Sequence, residues 1–374
     1  MENYSKSEIL QIVDEEDVEF IRLQFTDMFG VLKNIAVPSS QLMKVMENRC
    51  TVEMAALNGF DPKVDGEFYL KPDLSTFTIL PWRPQQGKVA RFICDVYSED
   101  GTETMLSPRY ILKKAVEEAE GLGYTLQVNP ECEFFLFHTD DNGNPTTVTH
   151  EQAGYLDTSP VDLGENTRRD VVLTMEEMGY EITSSHHEIA PAQHEIAFET
   201  AMETADKVMT FKMAVRTIAK RYGLHATFMP KPRMEVNGSG MHLNMRLIKE
   251  GKNVLGDEND NLSREGEAFL AGILEHIAGM TAVFNPIVNS YKRLGEGLSL
   301  ELRSPDSTAN PYLVFALCLK AGLYGIRHQL QAPPELTEDI RRLTCEEKLK
   351  KGIASLPENL GEALKAMAQD SLVE

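Results

Sequence analysis

Basic residues are in short supply in this sequence. Against 58 aspartates and glutamates stand 37 lysines and arginines, a net charge of −21 over 374 residues. Nucleic-acid backbones and anionic membrane surfaces repel so acidic a chain, so neither is expected as a partner; cations suit it better. Cysteine is sparse too. Cys50, Cys94, Cys132, Cys318 and Cys345 are odd in number, far apart and in none of the paired spacings of a zinc site. That predicts reduced thiols in a cytoplasmic protein rather than a disulfide framework. No apolar run reaches the length of a membrane span, and MENYSKSEILQIVDEEDVEF lacks the basic start and apolar stretch of a secretory signal. The single tryptophan, Trp82, sits between Pro81 and Arg83-Pro84, which reads as a core or loop anchor rather than a stacking platform.

What is present divides into two domains, as the length suggests. Ser5 to Glu16 reads as a helix capped by Ser5 or Ser7. Val18–Phe25 and Val31–Val37 read as a hairpin around Gly30, and Phe77–Leu80 and Val89–Val96 as strands joined by a Gln-Gln-Gly turn. Residues 1–103 are thus expected to form a small α+β domain. Pro108 then opens a helix that closes at Gly121 or Gly123, so the second domain is placed at 104–374. Within it, acidic strands alternate with helices at Arg168–Glu177, Ala205–Tyr222 and Glu265–Phe284. Asp140–Pro145 is a loop without the later ligands of a calcium-binding loop.

Chemistry concentrates in four segments. Ser185-His-His-Glu-Ile-Ala-Pro-Ala-Gln-His-Glu-Ile-Ala-Phe198 reads as a hairpin turning at Pro191-Ala192, with Glu188 and Glu195 on opposite arms. In Asn129–Phe137, Glu131 and Glu133 are two residues apart and share a strand face. The same rule puts His242, Asn244 and Arg246 together in Met241–Leu247, and Ser299, Glu301 and Arg303 together in Leu298–Arg303. A solvated face explains any one of these strands; three strands and a hairpin with one pattern point to a shared site. Five carboxylates and an imidazole (Glu131, Glu133, Glu188, Glu195, Glu301, His242) on one half-buried surface require neutralisation. Oxygen-rich ligation with one imidazole suits Mg²⁺ or Mn²⁺, six ligands suit two metal positions, and Arg303 beside them suits phosphate. Lys231, the Asn237-Gly-Ser-Gly240 turn and Lys292-Arg293 are further anion-binding candidates.

These segments, with Phe25-Thr-Asp, Gly87-Lys-Val-Ala-Arg-Phe-Ile-Cys-Asp, Asp162-Leu-Gly-Glu-Asn, His225-Ala-Thr-Phe-Met-Pro-Lys-Pro, Asn289-Ser-Tyr-Lys-Arg-Leu and Ala309-Asn-Pro-Tyr, resemble bacterial type I glutamine synthetase in order along almost the whole chain. The resemblance implies an N-terminal β-grasp domain and a catalytic domain whose curved antiparallel sheet forms a half-barrel active site packed with helices. It implies ATP-dependent ligation of ammonia, or an amine, to the side-chain carboxylate of glutamate through an acyl phosphate. It also implies a homo-oligomer, commonly a dodecamer, with active sites between neighbouring subunits. Carried over by residue, Glu133, Glu188 and Glu195 are implied ligands of one metal, and Glu131, His242 and Glu301 of another. Arg303 is implied to stabilise the transferred phosphoryl group. Arg293, Gly238 and Asn237 are implied on glutamate, and Lys231, Asn244 and Arg246 near the nucleotide.

Departures accompany the match. Glu53 stands where the family aspartate accepts ammonium's proton, and Glu67 where another aspartate is usual. After Leu294 the chain passes through Gly295-Glu-Gly297 directly to Leu298, without the family's long flap segment and its shielding glutamate. Ser299 replaces a family arginine, and the usual C-terminal helices are absent by Glu374. Two readings follow. One is a ligase of impaired or altered activity; the other is a catalytically reduced relative that binds metal and nucleotide and acts as a regulatory or co-assembling partner.

Overall fold

A computed structural model describes residues 4–57, 66–83, 86–149, 151–199, 204–256, 261–294, 302–334, 343–351 and 353–373. In its first part, helix α1 (Lys6–Glu15) is closed by a capping box in which Ser5 and Glu8 satisfy each other's backbone N–H. Strands β1 (Val18–Thr26) and β2 (Leu32–Pro38) form the expected hairpin around Gly30, whose φ of 74° the turn requires. Helix α2 (Leu42–Met46), β3 (Cys50–Glu53), β4 (Glu67–Ile79) and β5 (Lys88–Tyr97) complete a sheet of order β2-β1-β5-β4-β3, parallel only between β1 and β5. Alternation explains its face: Ile21, Leu23 and Phe25 enter a core with Ile9, Val45, Leu70 and Phe92, whereas Phe20 stays 47% exposed. Strand β4 starts ten residues before the expected Phe77. Pro72 argues against a strand there, yet it lies past the Glu67–Leu70 stretch that pairs with β3, where β4 is paired on the β5 side only and a missing N–H is tolerated.

Helix α3 (Pro108–Gly121) leads into the second sheet. Its axis is β6 (Thr125–Thr139), longer than the expected segment from Asn129. Around it lie β7 (Pro145–Thr149), β8 (Glu181–His187), β9 (Gln193–Glu199), β10 (Leu224–Thr227), β11 (Met241–Lys249) and β12 (Lys252–Asn253). The order is β12-β11-β6-β9-β8, with β7 and β10 pairing the far half of β6. Helices α4 (Glu165–Glu177), α5 (Thr204–Arg221), α6 (Arg264–Phe284), α7 (Pro311–His328), α8 (Cys345–Lys350) and α9 (Leu360–Met367) follow the expected helix sites closely where these were predicted. The sheet's apolar face carries Cys132, Phe134, Ile196, Phe198, Met241 and Leu243 in one core with Phe211, Phe269, Phe315 and Leu319. Helix α6 has the length and hydropathy of a membrane span, but 61% of that window is buried inside the protein, as a core helix would be.

Among the described residues, two joints between the sheets stand out. Asn310 caps α7 and donates through Nδ2 to the carbonyls of Asp27 (3.1 Å) and Met28 (3.2 Å), while Gly30 packs against its Cα. Arg109 on α3 bridges Asp73 and Asp95 of the first sheet and Asp206 of α5, at 2.7, 2.6 and 2.9 Å. The guanidinium is only 11% exposed, so removing it would leave three carboxylates facing one another. Arg109→Met is expected to lower the unfolding free energy by about 3–5 kcal/mol, read by denaturant titration; a change below about 1 kcal/mol would mean the joint is solvated.

Candidate active site

The polar face of the second sheet is assembled by strand register. Directly opposed residues of an antiparallel pair point to the same side. Glu131 opposes His242 across β6 and β11; Glu133 opposes Glu195 across β6 and β9; Glu195 opposes His186 across β9 and β8. Glu188 lies just past β8 on that side, within 2.8 Å of His186 Nε2 through its Oε1. Glu133, Glu188, Glu195 and His242 are each less than 10% exposed. Glu131 is more open, and its Oε1 accepts from Asn244 Nδ2 at 2.9 Å. The Nδ1 atom of His242 lies 3.7 Å from Glu131 and 4.0 Å from Glu195.

Electrostatics follow from this crowding. Burial, then repulsion from Glu133, Glu131 and Glu188, pushes the Glu195 carboxyl up to about 8. Burial likewise raises Glu133, although His242 and the Gly240 N–H oppose the shift. Carboxylates held this way invite a cation. Two groups bring their donor atoms within 4.8 Å: Glu131, Glu195 and His242, and His186, Glu188 and Glu195. Carboxylate oxygens with few imidazoles fit a hard divalent cation better than zinc. Glu195 is common to both groups. His186 was missed at the sequence level, although the period-two rule that pairs Glu131 with Glu133 also aligns His186 with Glu188.

Not every expected residue converges here. Glu301, with Ser299, lies outside the described residues. Arg303 is exposed and follows Leu302, which pairs with Leu243 of β11, so its strand runs beside His242. The Arg293 guanidinium is engaged: it donates to the carbonyls of Arg303 (2.8 Å), Ser304 (3.2 Å) and Pro305 (3.4 Å). It abuts Gly240, where a Cβ would lie 2.3 Å from Arg293 Nη2; at Gly238 a Cβ would lie 2.2 Å from the Pro230 carbonyl. Both glycines are therefore dictated by close approach, with Asn237 beside them. Buried Lys231 is fixed by Asn289, which accepts from its N–H and donates to its carbonyl. Arg246 is exposed on β11. Glu53 stands apart from this cluster, on the edge strand β3 of the other sheet, directly opposite Glu67.

Behind the hairpin is a second, fully buried group of Asp162, His187 and His194. It is not a metal site. Arg168 already supplies the cation, donating through Nη1 to Asp162 (2.7 Å) and to His194 Nδ1 (2.9 Å). Both ring nitrogens of His187 face acceptors, the Glu188 carbonyl at 2.7 Å and Glu151 Oε1 at 2.9 Å. Both must therefore carry hydrogen, and the Glu151 hydrogen bond holds the ring's pKa up against its burial.

Comparisons with known proteins agree across the chain. The family described as "Glutamine synthetase, beta-Grasp domain" matches residues 17–99, and "Glutamine synthetase, catalytic domain" matches 105–299 and 295–374. Glutamine synthetase of Clostridium saccharobutylicum is 50% identical over 405 aligned positions, covering 100% of this chain and 91% of its own. That of Staphylococcus aureus (strain MW2) is 44% identical, covering 99% and 90%. Among solved structures, the GmaS/ADP complex superposes with a TM-score of 0.86 at 29% identity, over 97% of this chain and 90% of that one. Plasmodium falciparum glutamine synthetase gives 0.83 at 21% identity, over 99% and 91%, a likeness of fold.

Proposed function

The chain belongs to the glutamine synthetase family and is an ATP-dependent ligase, and on that premise we propose that it joins ammonia, or a small amine, to the side-chain carboxylate of glutamate through an acyl phosphate. One observation carries the assignment to this face. Buried carboxylates of β6, β9 and the hairpin turn converge with His242 so tightly that Glu195 is driven up to about 8. Glu133, Glu188 and Glu195 would hold one Mg²⁺ or Mn²⁺, and Glu131, His242 and Glu301 the other, with His186 orienting Glu188. Such ions, when bound, neutralise phosphate charge as it develops. Arg303 would meet the transferred phosphoryl group. Arg293, tied to the 303–305 carbonyls, would brace that strand and line the glutamate pocket with Asn237 and Gly238. Lys231, Asn244 and Arg246 would border the nucleotide.

We place the domain boundary at 103/104, which leaves most of each hydrophobic core on its own side, although Leu80, Trp82 and Val89 pack into the second core and Leu106 against the first. We place the protein in the cytoplasm. We also propose a ring-shaped homo-oligomer, commonly a dodecamer in this family, in which Glu53 beside Glu67 serves a neighbour's site. Turnover is expected to be reduced or altered. The two catalytic-domain matches meet at 295–299, and 405 aligned positions against 374 residues leave about 31 of the clostridial relative's positions without a counterpart. A short connection shields an acyl phosphate from water less well. The binding-only alternative is not favoured, given relatives at 44–50% identity that are named as the synthetase.

Phosphate release from ATP with Mg²⁺ or Mn²⁺ tests the proposal. Release is expected to need glutamate and to be raised by ammonium, with some release on glutamate alone marking acyl phosphate lost to water. Release indifferent to both, or none while metal and nucleotide bind, would overturn it.

A further inference from the structure

The metal-facing hairpin owes its shape to groups on its opposite side. We propose that Glu151 is a positioning residue for the metal site, holding Glu188 and Glu195 at their working separation through one buried carboxylate. The inference rests on the ligand assignment above.

Glu151 precedes α4 and belongs to neither arm of the hairpin, yet its side chain is 1% exposed. Its Oε1 accepts from His187 Nε2 on the first arm and from the Ala192 N–H in the turn. Its Oε2 accepts from the Ala153 N–H at 2.7 Å, which fixes the carboxylate to its own segment. The His187 ring then passes the restraint forward: Nδ1 donates at 2.7 Å to the carbonyl of Glu188, the residue whose side chain faces the cation. On the second arm, His194 immediately precedes Glu195 and is held by Arg168, itself paired with Asp162. Each metal-facing glutamate thus has a back-face histidine beside it, anchored to the 151–168 segment.

The turn gives the carboxylate a further task. Ala192 sits at φ 62°, a left-handed conformation that is unfavourable for a residue with a Cβ, and it is fully buried. Its carbonyl accepts from the Leu136 N–H of β6 at 2.9 Å, and the arms share the bond from the Glu188 N–H to the Gln193 carbonyl at 2.8 Å. Its N–H donates to Glu151, the side chain that ties the turn to His187 of the first arm. With the bond to Glu151 lost, the turn can relax and Glu188 can shift relative to Glu195. Metal-site partners beyond the ligands commonly change affinity by about 10–100-fold.

Mn²⁺ binding, measured by calorimetry and by the electron paramagnetic resonance of free Mn²⁺ on the metal-stripped protein, provides the test. Glu151→Gln is expected to weaken binding at the Glu188–Glu195 position by roughly tenfold, and Glu151→Asp, which keeps the charge but shortens the reach, by less. The thermal midpoint of the metal-free protein serves as the second readout. If Glu151→Gln lowers that midpoint but leaves Mn²⁺ affinity unchanged, Glu151 is only structural and the proposal falls. Should Glu151→Gln fail to fold, Glu151→Asp carries the same comparison, and affinity equal to wild type again refutes it. Glu188→Gln separates the two levels of the argument. Unchanged affinity there removes the ligand assignment and this inference with it; lost affinity there, with no change in the Glu151 variants, removes this inference alone.

Discussion

Arg303→Ala is expected to lower kcat by about 10³-fold or more, the range in which arginines that stabilise phosphoryl transfer operate. Three features locate the effect. Leu302 pairs with Leu243 of β11, and Leu302 packs against the core. By alternation Arg303 projects to the opposite side, the side that carries His242. Its carbonyl is gripped by Arg293, so the strand is braced where the guanidinium leaves it. Arg303→Lys should recover little, because a point charge does not reproduce a planar fork of donors. Single-turnover phosphate release with saturating ATP and glutamate is the measurement. A rise in KM with kcat unchanged, read from steady-state rates across glutamate concentrations, would assign Arg303 to uniform substrate binding instead.

Glu195→Gln is expected to abolish productive metal binding, with Mn²⁺ affinity down by more than about 100-fold, beyond what loss of an outer partner causes. The residue would be a ligand of one ion, and its carboxylate also lies within reach of Glu131 and His242, which would hold the other. It also has a proton signature. With its carboxyl pushed up to about 8, the metal-free protein holds a proton there at neutral pH, which the ion must displace. Calorimetry at pH 7 in buffers of differing ionisation enthalpy should show that release in the wild type and not in the variant. The stability consequence has a definite sign. A folded-state value above the ordinary 4.5 contributes stability that is complete below about 4.5 and lost as pH rises from there through about 8. Metal-free wild type should therefore melt lower at pH 8 than at pH 6, and Glu195→Gln should flatten that slope. A melting temperature independent of pH in the wild type would refute the burial argument.

Alternation made the core of the site legible in the sequence. Glu131 with Glu133, and His242 with Asn244, could be put on one face because a strand has a period of two, and Pro191-Ala192 marked the turn between Glu188 and Glu195. Register across strands is a different matter. Which residue of β11 lies opposite Glu131 depends on hydrogen bonding between segments more than a hundred positions apart. The Glu151–His187 contact spans 36 residues, and neither residue is in a local pattern that announces the other. Arg293 illustrates the remaining limit: the sequence marks a cation in a family-like motif, but only tertiary contact reveals that backbone carbonyls already occupy its donors. Pro72 obscures the early start of β4, because a propensity rule does not know that the strand is paired on one side only at that residue. Trp82, expected as an anchor, is 5% exposed and its carbonyl accepts from Arg221.

The joint between Asn310 and the turn at Gly30 also bears on the order in which the molecule is made. All strands of the first sheet have emerged by Tyr97, and its core can close early. Its seat on the second domain, however, includes a side chain encoded some 200 residues later. At bacterial and eukaryotic elongation rates of about 5–20 residues per second, that delay is on the order of 10–40 s. Throughout it, the carbonyls of Asp27 and Met28 have no completed seat, whereas Arg109 can meet Asp73 and Asp95 soon after the sheet emerges. The nascent chain therefore carries a finished domain with an unfinished face, and Asn310 is where synthesis and docking come into step.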